Sequence, residues 1–155
     1  MREKRFKLFA DYFQFYLQDE GSKGIKGESW TPEAHQRRLA LERCAFAVMT
    51  ARNMDVPVIV RLYQDQPEID LAAWDHIVEF SIDVPSGRLV VAGCTDSFPQ
   101  AERIELEKGS YRVRVCQAGL DEISDDGLDG KDHYLVQTWR GTFMQVNIIK
   151  QYSEE

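Results

Sequence analysis

Residues 77–84 read Ile77-Val78-Glu79-Phe80-Ser81-Ile82-Asp83-Val84, with Val78, Phe80, Ile82 and Val84 on one side and Glu79, Ser81 and Asp83 on the other. Pro85-Ser86-Gly87 turns the chain, and Leu89-Val90-Val91-Ala92 runs back. Beyond Pro99, residues 103–107 alternate again, Lys108-Gly109-Ser110 turns, and residues 111–115 alternate once more. Alternation of period two, broken by tight turns, is the pattern of antiparallel strands that bury one face. The stretch 77–115 therefore predicts two successive hairpins at the centre of an all-β fold.

Toward the N-terminus, residues 6–18 are rich in aromatics, which favour strands. Phe13, Phe15 and Leu17 oppose Tyr12, Gln14, Tyr16 and Gln18, as in the wall of a sandwich. Gly21, Gly24 and Gly27 mark a surface loop. Thr31 then suits a helix cap, Pro32 the first helical position, and Glu33 the positive end of the helix dipole. This helix is expected to run to about residue 42, with Ala34 and Leu41 inward and Arg37 and Arg38 outward. The apolar run Cys44-Ala45-Phe46-Ala47-Val48-Met49-Thr50 reads as a strand buried on both faces, with a continuing helix as the alternative.

The strands predicted are 8–18, 44–50, 57–63, 76–84, 88–94, 102–107, 111–117 and 133–139. A candidate ninth lies at 143–150, where Met144, Val146 and Ile148 alternate with Gln145 and Asn147. About eight short strands with one short helix predict an antiparallel β-sandwich in a single domain spanning 1–155.

A chain of 155 residues is long enough for one real core, and 43% hydrophobic with 29% charged residues is an ordinary globular balance. The net charge of −7 argues against direct nucleic-acid binding, which needs basic surface, and permits a basic partner such as a nuclease. The basic N-terminus lacks the apolar run of a signal peptide, and no stretch approaches the ~20 apolar residues of a membrane span. Cys44, Cys94 and Cys116 each sit in a separate apolar run, which predicts buried thiols in a reducing compartment and a cytoplasmic protein.

The sharpest local feature is residues 119–133. Asp121, Glu122, Asp125, Asp126, Asp129 and Asp132 stand there against Lys131 alone, a local net charge of −5. Three readings stay open. One is a solvated, turn-rich loop. Another is a partner-binding loop in which Asp121, Glu122, Asp125, Asp126 and Asp129 steer and pair with a basic protein. The third is a calcium site on Asp125, Asp126 and Asp129, although Gly127 stands where a calcium loop carries an acid, and Val136 where it carries a bidentate Glu.

The histidines, His35, His76 and His133, assemble no catalytic case, because an adjacent Asp in a strand points to the opposite face. No phosphate loop, paired-Cys metal spacing or nucleophile elbow occurs, so neither an enzyme nor a cofactor is expected. Trp30 and Trp139 read as core, and Trp74, beside Asp75 and a loop, is left as a candidate interface anchor. A small-molecule cleft between the sheets is a further alternative.

Several stretches carry a family resemblance. Tyr12-x-Gln14-Phe15 is followed by Trp30-Thr31-x-Glu33-Ala34, the small-residue strand at 45–48, its Arg52-Asn53 exit, and Glu107-Lys108-Gly109-x-Tyr111. In order and spacing these resemble the competence protein J family of small cytoplasmic bacterial proteins, over about half the chain. The resemblance implies a non-enzymatic role, since the founding member binds and restrains a DNA-entry nuclease used in natural transformation. Residues 64–76 and 119–133 depart from the family pattern, and a fold can keep its shape while changing its target.

Overall fold

In the computed structural model, which describes residues 1–153, two β-sheets pack face to face. Numbered in chain order, β1 (Arg2–Phe9), β5 (Asp55–Tyr63), β10 (His133–Arg140), β9 (Gly109–Ala118), β6 (His76–Val84) and β11 (Asn147–Lys150) form a six-stranded sheet in that spatial order. The second sheet orders β3 (Leu39–Glu42), β4 (Ala45–Met49), β2 (Gln14–Asp19), β7 (Arg88–Gly93) and β8 (Glu102–Glu105). The core lies between them. Phe15, Leu17, Phe46, Val48 and Val91 project from one sheet, and Val58, Val78, Phe80, Val113 and Val136 from the other. Phe46 meets Phe80 edge-on at 4.8 Å and Phe15 meets Tyr134 at 5.8 Å, the offset geometry that aromatic quadrupoles prefer.

The all-β sandwich is the predicted one, but its connections are not. β6 and β7 lie in different sheets, and so do β8 and β9. Pro85-Ser86-Gly87 and the turn before β9 are therefore arches over the sandwich edge rather than hairpins. β6 pairs with β9 and β11, whereas β7 pairs with β2 and β8. Alternation tells which face a strand buries and nothing about which neighbour it pairs with. The first arch is held by Asp19, whose carboxylate accepts from the Ser86 amide (3.0 Å) and hydroxyl (2.6 Å). The sheets are antiparallel except for one pair, since β10 runs parallel to β5.

The predicted 8–18 strand is two strands in two sheets, β1 and β2, split by a 3-10 turn at Asp11–Phe13. Inward residues switch parity across it, from Leu8 and Ala10 to Phe15 and Leu17. The helix α1 (Pro32–Arg37) starts as expected, with the Thr31 hydroxyl accepting from the Ala34 amide at 3.1 Å. It stops five residues early. Arg38 takes a left-handed conformation (φ 57°), and Leu39 and Ala40 become part of β3, fully buried beside β4. Strand pairing there outweighs helix propensity. Leu41 is half-buried on β3, and Arg38 turns in to donate to Gln117 at 2.9 Å.

β4 is buried on both faces as read, and β11 supplies the candidate ninth strand, shortened to four residues at the sheet edge. Over β6, β9 and β10 the outer face of the six-stranded sheet is covered, so Glu79 and Ser81 are buried instead of solvated, while Arg5 and Lys7 on β1 stay exposed. Arg114 donates to Glu79 (2.8 Å), Gln137 (3.0 Å) and the Pro67 carbonyl (3.0 Å), and Arg112 donates to Glu79 at 3.0 Å. Both guanidiniums lie over Trp139, which is buried as expected. Of the three thiols only Cys116 is fully buried, whereas Cys44 and Cys94 are half-buried.

Candidate functional site

The registers bring one set of connections to one end of the sandwich. β9 ends and β10 begins there, opposite Ala118↔His133, and β1 ends there opposite Asp55. The acidic segment, the 50–54 turn and the Asp11–Phe13 turn therefore share that end.

The acidic segment has a locked base. Arg52 donates from Nε to Asp132 Oδ1 at 2.6 Å and from Nη1 to the Leu128 carbonyl at 3.3 Å. The Tyr134 hydroxyl donates to Asp132 Oδ2 at 2.7 Å and accepts from the Ala51 amide at 2.8 Å. Burial pushes that hydroxyl above the usual phenol range, so it remains a donor. Asp132 is 1% exposed, so this acid is a structural anchor and not part of any binding surface. On the other side, the Leu120 amide donates to Asp75 at 3.0 Å.

Beyond the base the segment closes on itself. Lys131 donates its amide to the Glu122 carbonyl (2.9 Å) and Ser124 to that of Asp129 (2.8 Å), which makes a short ladder around the Ile123↔Gly130 bridge. Asp126 accepts from the Ser124 hydroxyl (2.6 Å) and the Leu128 amide (3.0 Å), and these bonds hold its carboxyl below the usual range. Asp121, Glu122, Asp125, Asp126 and Asp129 are all exposed on this ladder, leaving a solvent-facing net charge of −4 against Lys131. Glu122 lies 3.9 Å from Lys131, and Asp121 accepts from the Tyr152 hydroxyl. Among the described residues no three His, Cys, Asp or Glu side chains are placed to hold a metal ion. Asp126, the middle acid of the calcium reading, is instead engaged by Ser124 and Leu128.

Trp74 does not join these acids directly. It is half-buried on the outer face of the six-stranded sheet, against Ile77, Cys116 and Leu135, with its ring 5.5 Å from that of His133. The other two histidines lie apart from the acids. His35 is exposed on α1, with its ring 5.4 Å from that of Trp30 and tilted against it. His76 is fully buried, meeting the Arg37 carbonyl through Nε2 at 2.8 Å and accepting from the Tyr152 amide through Nδ1 at 3.0 Å. Burial pushes the Cys116 thiol up to about 12 and raises Cys44 and Cys94 as well, away from thiolate chemistry.

One feature at this end escaped sequence reasoning. Tyr12 and Phe13 both adopt left-handed backbone (φ 56° and 59°), rare for aromatic residues and costing roughly 1–2 kcal/mol each. The strain is held in place from several sides. Phe13 accepts from the Thr50 amide (2.9 Å), Ala10 donates to Met54 (3.0 Å), and the Cys94 thiol donates to the Asp11 carbonyl (2.9 Å). The result projects the Tyr12 and Phe13 rings into solvent, 78% and 48% exposed. The parity switch between Ala10 and Phe15 was the available signal; the 80-residue separation of Arg52 and Asp132 left none for the buried pair.

The chain matches no protein-family profile and no curated protein. Among solved structures it is similar to ComJ from Bacillus subtilis, described as an inhibitor of the DNA degrading activity of NucA. The identity is 18% over 91% of this chain and 96% of ComJ, with a TM-score of 0.64. It is also similar to the protein described as crocagin biosynthetic gene J, at 21% identity over 92% of this chain and 100% of that one, with a TM-score of 0.61. At such identities the likeness is one of fold. The chain has a ComJ-like fold, the one implied by the residues that resemble the competence protein J family.

Proposed function

We propose that this chain is a non-enzymatic binding module that restrains a basic protein, and that its target is a nuclease. The observation that carries the reading is the acidic ladder, in which five exposed carboxylates stand on a base fixed by Arg52, Asp132 and Tyr134. A preorganised cluster of one sign raises association rates with an oppositely charged partner and disfavours wrong partners. A fixed base also lowers the entropy lost when such a loop engages. The fold shared with ComJ, an inhibitor of a DNA-degrading protein, supports the choice of target class.

The test is a DNA-degradation assay with purified nucleases from the source organism, titrated with this chain. One of them should be inhibited at near-stoichiometric ratio. Neutralising Asp121, Glu122, Asp125, Asp126 and Asp129 to their amides should weaken inhibition by about tenfold or more at low salt, mainly through slower association. Inhibition insensitive to both the substitutions and the salt concentration would remove the charge-steering role.

A further inference from the structure

Next to the acidic ladder the surface changes character. Tyr12, Phe13, Trp30, His35 and Met49 line a groove of about 500 Å³ that also includes Gln14 and Thr50, with no Lys, Arg, Asp or Glu in its wall. Trp30 is held in place by its indole N–H, which donates to Gln14 Oε1 at 2.9 Å. Thr50, itself almost fully buried, also borders a second hollow lined by Arg38, Leu120, Asp121, Ile123 and Tyr152, where the Arg38 guanidinium lies over the Tyr152 ring at 5.5 Å, so the groove neighbours the first residues of the acidic segment.

We propose that this groove anchors the basic partner by seating one of its arginine side chains, a claim that rests on the inhibitor reading above. Aromatic faces carry negative quadrupole potential and attract a cation, and guanidinium, weakly hydrated and planar, stacks on them better than ammonium. No basic side chain lines the groove to compete for its rings. The net charge of −4 on the adjoining ladder supplies the complementary field for a basic segment lying across both. Interfaces concentrate their energy where aromatic residues and arginine meet inside a less critical rim, and the ladder has the place of that rim. The left-handed backbone at Tyr12 and Phe13 spends stability on projecting two rings outward, and strain of this kind gathers at functional sites.

The test is an NMR titration of the labelled chain with end-blocked Gly-Arg-Gly, run beside Gly-Lys-Gly and Gly-Leu-Gly. The arginine peptide should shift the Trp30 indole N–H and the amides of Tyr12, Phe13 and His35 at least about threefold more than the other two. A Tyr12→Ser/Phe13→Ser chain, checked for an unchanged fold by its amide spectrum, should lose the response. A stronger response to the leucine peptide would overturn the proposal. So would shifts confined to residues 121–129, or groove shifts that follow protein concentration alone and so report a second copy. The two readings can fail separately. If Tyr12→Ser/Phe13→Ser still restrains a nuclease with wild-type potency, the groove is refuted and the inhibitor reading stands. If the groove takes the arginine peptide while no nuclease is restrained, the inhibitor reading falls alone.

Discussion

Arg52 and Asp132 show how much rests on a few buried groups. Their side chains are 10% and 0% exposed, and removing one partner strands the other's charge away from water. Arg52→Ala should therefore cost about 3–5 kcal/mol in urea unfolding. Arg43→Ala, which breaks the exposed pair with Asp83, should stay within about 0.5 kcal/mol. Equal costs would mean that the loop base is not the keystone described. His76 gives a pH signature. Burial holds its pKa below the ordinary 6.5, so the unfolded chain takes up a proton there before the folded one does. The stability it contributes is complete above pH 6.5 and is lost as pH falls toward the folded value. Glu3, Glu20 and Asp83, whose pKa values are lowered, titrate below this window. Urea unfolding from about pH 7 to pH 5 should show falling stability, and His76→Gln should flatten the slope. Tyr12→Asn, which suits left-handed backbone, should raise stability by about 0.5 kcal/mol while weakening capture of a basic partner.

Among the elements, the strands were legible and their partners were not. The alternation in β6 and β9 came through because each buries Val78, Phe80, Val113 or Val115 against the other sheet. The turns between strands looked like hairpins because tight turns also make arches, and only non-local pairing distinguishes the two. The helix start at Thr31 was readable from local capping chemistry, whereas its end at Arg38 depended on β4 waiting to pair with β3. In the site, the exposed acids could be named from composition. Asp132 could not be separated from them, because its burial depends on Arg52 and Tyr134. Gly119 belongs to this scale as well. It has φ 71°, and an added Cβ would come 2.4 Å from the Lys131 carbonyl oxygen, so Gly119→Ala should push the ladder off its base and cost upwards of about 1–2 kcal/mol. Thermal unfolding, with amide shifts confined to 119–133, would check it.

At the scale of the molecule, the proposed function rests on an asymmetry between the ends. One end carries the acidic ladder, its buried anchor and the outward aromatic turn, while the outer face over β6, β9 and β10 is closed by packing and by the Arg112–Glu79–Arg114 layer. A net charge of −7 gives the chain a field that reaches about 8 Å at physiological salt, enough to orient a basic partner before contact. The most direct measurement is the association rate between this chain and a DNA-degrading nuclease of its own organism, followed from low to high salt. It should be done for the wild type and for the chain with Asp121, Glu122, Asp125, Asp126 and Asp129 neutralised. A fast wild-type rate that falls steeply with salt, with a slow and salt-insensitive rate in the neutralised chain, is the predicted result. Identical salt-independent rates for the two, or no nuclease bound at all, would contradict the account.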